Sequence, residues 1–349
     1  MAKESLANKM ARKAFYRNDV QQSWKTHMQA FGPILKPAFA DNFQAKIHLT
    51  AALNHISKGN LQQAMPKLQM VQNFVENDAD KAMLLFALGV YCETAGAQEQ
   101  MVAYYNAANQ CGHKFYLPYL KVARFCLGVA DYAPAEENFR KAIDCFDAAA
   151  LSDADKIVLG SAWANLGSCL TILHRFEEAR TALNNSAALC PDAPGRAAAE
   201  AVLFALDGDE AQVAACLAAL ESHSPDAVES VRESTARILA KADPLFFTVP
   251  VDAEKIAAFW SWFVNYEAEL KTLLDGEKYE DGLTPVAKEL LTAFPFLENI
   301  PNVGLGKNDK GYVLELKDYY AVGIVAAYEQ LIEACPEDIR DRWQFAIAH

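Results

Sequence analysis

Over the first two thirds of the chain, apolar residues recur every three or four positions. This spacing predicts helices with one buried face each. The clearest stretch is 160–193. Trp163, Leu166 and Leu170 share one face of a first helix, and Phe176, Ala179 and Leu183 mark a second. Gly167 and Ala179 are small enough to let the two helices approach closely, and Pro191 stops the second. The same landmarks return at a period of 34 residues. Block 45–78 carries Ala52, His55, Gly59, Ala64 and Leu68. Block 82–115 carries Leu85, Gly89, Cys92, Gly96, Tyr105 and Ala108. Block 116–149 carries Tyr119, Ala123, Cys126, Ala135, Phe139 and Ala142, and block 194–227 carries Ala201, Phe204, Gly208, Val213 and Leu217. A short insertion, 150–159, separates two contiguous pairs of blocks, and a capping helix is expected at 228–242. A fixed period of this length is the mark of stacked helical hairpins.

After Asp243-Pro244 the pattern changes. A short β-like run, Leu245–Val249, lies between Pro244 and Pro250. A helix rich in aromatics follows at Ala253–Leu274, and another fits Thr284–Ala293, with Thr284 as its cap and Pro285 in its first turn. Asn302–Gly306 and Tyr312–Leu316 read as a hairpin joined by the polar turn Lys307–Gly311. A helix at Tyr319–Ala334 and a strand at Trp343–Ala348 complete a small α+β domain, expected to have an antiparallel sheet.

The repeat landmarks resemble the tetratricopeptide-repeat family over about 45–227. The resemblance implies a right-handed superhelix whose first helices line a concave groove. The groove positions it implies include Leu53, Met83, Phe86, Val90, Glu93, Leu117, Leu120, Arg124, Leu127 and Ser168. The Lys, Arg and Asn cluster with which some members grip a carboxylate terminus is not recognisable, and Arg124 is the one strong cation of the central groove. That groove reads as apolar. Either an amphipathic helix of a partner fills it, with Arg124 pairing an acidic residue at the rim, or the chain's own segments cover it. Residues 255–349 are similar to a small module of uncharacterised bacterial proteins. The likeness rests on Phe259-Trp260-x-Trp262-Phe263, Glu267, Leu270, Cys335-Pro336 and Trp343-Gln344. Tyr266 departs from the Asn expected beside Glu267. This second resemblance implies a fold and a bacterial origin but no established chemistry.

Composition narrows the functional classes. The 349 residues are 52% hydrophobic and 22% charged, with a net charge of −13, which opposes general nucleic-acid binding. Residues 1–44 run the other way, with seven basic residues against three acidic ones. They contain no apolar core of a secretory signal. Their few acids suit an organelle transit peptide, but serine is scarce. The preferred reading is a helix near Val20–Phe31 whose charge complements the acidic body. The eight cysteines form no C-x-x-C pair and suit a reducing, cytoplasmic setting. Cys92, Cys126, His55 and Leu170 share one repeat slot, which points to packing rather than a metal or redox ladder. His48 and His55 read as core residues, and Cys111-Gly112-His113 is a weak metal signal.

No common catalytic motif is present, and His223-Ser224-Pro225-Asp226 reads as the turn that ends a repeat. The acidic stretches at 275–277 and 280–282 read as solvated loops. Trp260, Trp262 and Tyr266 form a candidate aromatic surface, with core packing as the plainer explanation. The expectation is therefore a mainly α protein with three regions: a leader (1–44), helical repeats (45–242) and an α+β domain (245–349). It is not expected to be an enzyme and needs no cofactor or metal. Its partner would be a protein or peptide held in the groove, or its own C-terminal domain docked there, with no nucleic acid or membrane involved. The alternatives make the C-terminal domain a small-ligand sensor or enzyme targeted by the repeats, or give the repeats an assembly role between copies.

Overall fold

The computed structural model describes residues 38–348 apart from 113, 194, 224, 298–302 and 310. The expected leader helix at Val20–Phe31 lies outside the described residues. The chain is mainly helical, with one small three-stranded sheet near its C-terminus. It divides into two compact units, one running to Ala199 and the other from Glu200. The division falls inside a helix and not at Asp243-Pro244.

The first unit contains helices α1 (Phe43–Ser57), α2 (Leu61–Gln72), α3 (Asp78–Ala95), α4 (Gln98–Asn109), α5 (Tyr116–Gly128), α6 (Tyr132–Asp144), α7 (Asp153–Ile172) and α8 (Phe176–Leu189). They pair as hairpins in chain order, and each hairpin packs on the next. Side-chain caps set several starts. Asn42 accepts from the Ala45 N–H, Asn77 from Asp80, and Ser152 forms a capping box with Asp155. That box begins α7 at Asp153, so the 150–159 insertion mostly lengthens a helix instead of forming a loop.

Every hairpin turns in the same way. One or two residues past each first helix the backbone is left-handed: Gly59, Gly96, Ala130 and His174 have φ between 58 and 77°. The next N–H then bonds back five residues. Asn60 donates to His55 O, Ala97 to Cys92 O, Asp131 to Cys126 O and Arg175 to Leu170 O, at 2.8–2.9 Å. The slot shared by His55, Cys92, Cys126 and Leu170 is thus the carbonyl that closes each turn. Packing repeats at a constant offset as well. A β-carbon on Gly89 would collide with the Tyr105 ring, and one on Gly167 would sit 2.8 Å from Leu183 carbons. Ala52 and Leu68, and Ala123 and Phe139, are buried at the same sixteen-residue separation.

The second unit takes most of α9 (Arg196–Asp207), then α10 (Glu210–His223) and α11 (Pro225–Leu239). Ala205, Val213 and Ile238 form a small core, flanked by Leu217, Phe246 and Phe247. α9 and α11 end in the turn described above: Asp209 bonds to Phe204 O and Ala242 to Arg237 O. No second helix follows α11. The expected strand at Leu245–Val249 is a turn. Asp243 holds it by accepting from the Leu245 N–H at 3.0 Å, and the Pro244 and Leu245 carbonyls accept from Gly323 and Val322.

The rest is α12 (Ala253–Asp275), α13 (Tyr279–Ala293), β1 (Val303–Asn308), β2 (Gly311–Lys317), α14 (Val322–Glu333), α15 (Glu337–Arg340) and β3 (Trp343–Ala348). α13 starts before Thr284, so Pro285 lies inside the helix and the acidic stretch 280–282 forms its first turns. Gly282 makes this start possible, because a side chain there would meet Leu270. β1 and β2 are antiparallel as expected, with a tighter turn, since Asn308 pairs with Gly311. The sheet is mixed, however. α14 and α15 carry the chain back along the sheet, so β3 runs parallel to β2. Phe259, Phe263, Leu270, Leu290, Leu314, Leu316, Tyr328 and Trp343 are core residues between helices and sheet.

Candidate functional site

The residues that the repeat resemblance assigns to a groove do not form an exposed apolar surface. Leu53, Met83, Phe86, Val90, Leu117 and Leu120 are all buried. Phe86 shows why: its ring packs edge-on against Phe115 at 5.1 Å and tilted against Tyr105 at 5.7 Å. These positions form the floor between helices. Arg124, Leu127 and Ser168 are half-buried, and Ser168 bonds to the Ala164 carbonyl of its own helix.

A second cation joins this region. Lys121 Nζ lies 2.9 Å from Glu93 Oε2, and the Tyr105 hydroxyl donates to the same oxygen at 2.8 Å. Both charges are largely withdrawn from water and satisfied by each other. Sequence reasoning took Glu93 alone. The available signal was an opposite charge on the next first helix. Farther along, Glu136, Arg140, Arg175 and Glu178 form an exposed network that ties α6 to the turn and first residues of α8. Hydrogen bonds from Arg175 and Arg140 hold the Glu178 carboxyl below its usual range.

In the second unit, Trp260 is not part of an aromatic surface. It is 3% exposed, and its indole N–H donates to the Leu331 carbonyl at 2.8 Å. A buried indole needs such an acceptor, so α14 fixes the position of α12. Trp262 and Tyr266 stack at 5.1 Å and are half-buried at the edge of the core. Beside Trp260 lies an open groove of about 780 Å³. Its α12 wall is Ala253, Ile256, Ala257, Ser261, Val264 and Asn265, and its other wall is the end of α14 with Pro336. Glu333 is its one ionisable lining residue among the described residues, and it is exposed.

The strongest electrostatic cluster is centred on Glu267. Its carboxylate takes two hydrogen bonds from Arg342 at 2.9 Å, one from the Trp343 indole at 3.1 Å, and pairs with Lys271 at 2.6 Å. The Arg342 guanidinium is the main reason its pKa falls to about 2. Asp275, two helical turns beyond Glu267, bonds Lys307 and the Tyr312 hydroxyl. Lys271 and Lys307 both lie over the Tyr312 ring, 5.3 and 5.1 Å from its centre. Glu267, Lys271 and Asp275 therefore form an alternating-charge layer where the apolar core meets water. Their spacing of four along α12 was the sequence signal for it. A second polar spot was not anticipated. Asp318 is buried at the end of β2, followed by Tyr319 and Tyr320 in left-handed conformation. The nearby Tyr328 phenol is pushed up in pKa by burial, then by the charges of Tyr319 and Asp318.

The cysteines are packing residues. Cys92, Cys126 and Cys169 are buried free thiols, and desolvation drives Cys169 up to about 12, which leaves it protonated and unreactive. His48 and His55 are only half-buried, and His48 stacks on Phe74. His113 and Ser224 lie outside the described residues. Among those described, no group of three metal-binding side chains occurs and no helix is long and apolar enough to cross a membrane. No family model matches the chain, and no curated protein matches it.

Proposed function

We propose that this chain is a protein-interaction module whose helical hairpins form a tetratricopeptide-type superhelix. One observation carries the reading. The same left-handed turn and five-residue back-bond recur in four successive hairpins, at the repeat slot held by His55, Cys92, Cys126 and Leu170. A stack built from one unit offers one side chain per repeat along a continuous surface, which suits an extended segment or helix of a partner protein. Buried Phe86, Leu117 and Leu120 make that surface rigid, and the half-buried Arg124, Leu127 and Ser168 supply its contacts. The partner segment carries an acidic residue opposite Arg124.

The test is affinity capture with the full chain, followed by titration of the retained protein. Arg124→Glu is expected to weaken binding at least about tenfold, or about 1.4 kcal/mol, and to reduce its salt dependence. Unchanged affinity and salt dependence would remove Arg124 from the contact. No specifically retained protein at all would count against the interaction role itself.

A further inference from the structure

We infer that the turn 243–247 is a joint that binds α9–α11 to α14, so that the helical and α/β parts of the second unit open as one body. The sequence pattern breaks at this point, since the repeats stop at Asp243-Pro244. The contacts run across the break. Phe246 and Phe247 pack on the helical side, against the core of Ala205, Val213 and Ile238, which takes one residue from each of α9, α10 and α11. The carbonyls of the same turn serve the α/β side. α14 has no side-chain cap, so its first amides need other acceptors. Pro244 O takes the Gly323 N–H at 2.8 Å, and Leu245 O takes the Val322 N–H at 3.2 Å. Five residues thus fill one core and cap the helix of another.

The fit is close enough to need glycine. A β-carbon on Gly323 would lie 2.5 Å from Phe247 O and 3.0 Å from Pro244 O, and both are backbone atoms. Asp243 fixes the shape of the turn from inside. It is buried, and one carboxylate oxygen accepts from the Leu245 N–H at 3.0 Å. The other lies 3.4 Å from the Arg237 guanidinium of α11, and the Asp243 carbonyl accepts from the Phe246 and Phe247 N–H groups. A turn held in this way cannot leave α14 without drawing Phe246 and Phe247 out of the helical core. α14 carries the constraint onward. At its far end Leu331 O accepts from the Trp260 indole, and the Ile332 and Glu333 carbonyls accept from Arg340. That end is a wall of the groove beside Trp260. Through about 18 Å of helix, the joint therefore sets this wall from the helical side.

Hydrogen exchange on the full chain tests the joint from both sides. Phe247→Ala removes bulk on the helical side, and Gly323→Ala forces the turn off α14. Each is expected to raise exchange about tenfold in both α11 and α14, with α1–α4 unchanged. Either variant reads the joint by itself, so failure of one to fold leaves the other decisive. The double variant should fall short of the product of the single factors, because both changes open the same contact. Exchange that stays unchanged, or that rises only on the substituted side, would overturn the proposal. So would a double variant that reaches the full product. Equal acceleration in α1–α4 would also overturn it, by assigning the effect to the whole chain.

Discussion

The helical hairpins and the C-terminal α/β half bury their apolar faces by opposite means. In the hairpins, a small residue on the first helix receives a large one from the second, as Gly167 receives Leu183. The interface is thin and has little tolerance in volume. In the C-terminal half, bulk meets bulk. Phe263 lies within 6.3 Å of the rings of Phe259, Trp260, Trp262, Trp343 and Phe345. That core ends in the charged layer around Glu267. The first design repeats because one crossing serves every unit. The second is made once, and side chains distant in sequence must meet in three dimensions.

Removing bulk should hurt the C-terminal half most. Phe263→Ala is expected to cost about 3–5 kcal/mol, because five rings lose a shared neighbour. Urea unfolding followed by tryptophan fluorescence reads it, as Trp260, Trp262 and Trp343 are three of the five tryptophans. A loss under about 1 kcal/mol would mean that the rings re-pack freely and that the contrast between the halves is overstated.

Adding bulk should hurt the hairpins next. Gly167→Val is expected to cost about 2 kcal/mol by overpacking against Leu183. Combining it with Leu183→Ala should cost less than the two single changes summed, with a coupling of about 1 kcal/mol. Strictly additive midpoints would show that the two positions do not interlock.

The smallest effect concerns charge. Glu267→Gln is expected to cost about 1 kcal/mol at neutral pH, because Arg342, which is 40% exposed, is screened by water. The folded carboxyl titrates near 2, below its ordinary 4.5. Its contribution is therefore complete above about pH 4.5 and is lost as pH falls toward 2. The gap between wild type and Glu267→Gln should close over that window. A gap independent of pH would assign the effect of Glu267 to packing.

Much of this architecture was legible along the chain. Helices repeat because each unit packs with the same local geometry, so a small residue, Ala52, Gly89, Ala123 or Gly167, reappears sixteen positions before its large partner. The hairpin and the last strand were legible too, since alternation and turn residues are local. The candidate site was far less so. Met83, Phe86 and Leu120 look the same in sequence whether they face a groove or a floor. Only the rings of Tyr105 and Phe115, brought from neighbouring helices, decide that Phe86 is floor. Trp260 likewise needs a carbonyl 71 residues away to become core.

The sequence by itself determined the helical period and the change of pattern after Asp243, because each depends on residues within a few positions of one another. The tertiary structure decided the parallel course of β3, the pairing of Lys121 with Glu93 and the assembly of Arg342, Trp343 and Lys271 around Glu267. Those features depend on where distant segments come to rest. The energy that places them is the burial of whole faces, which no short window of sequence contains.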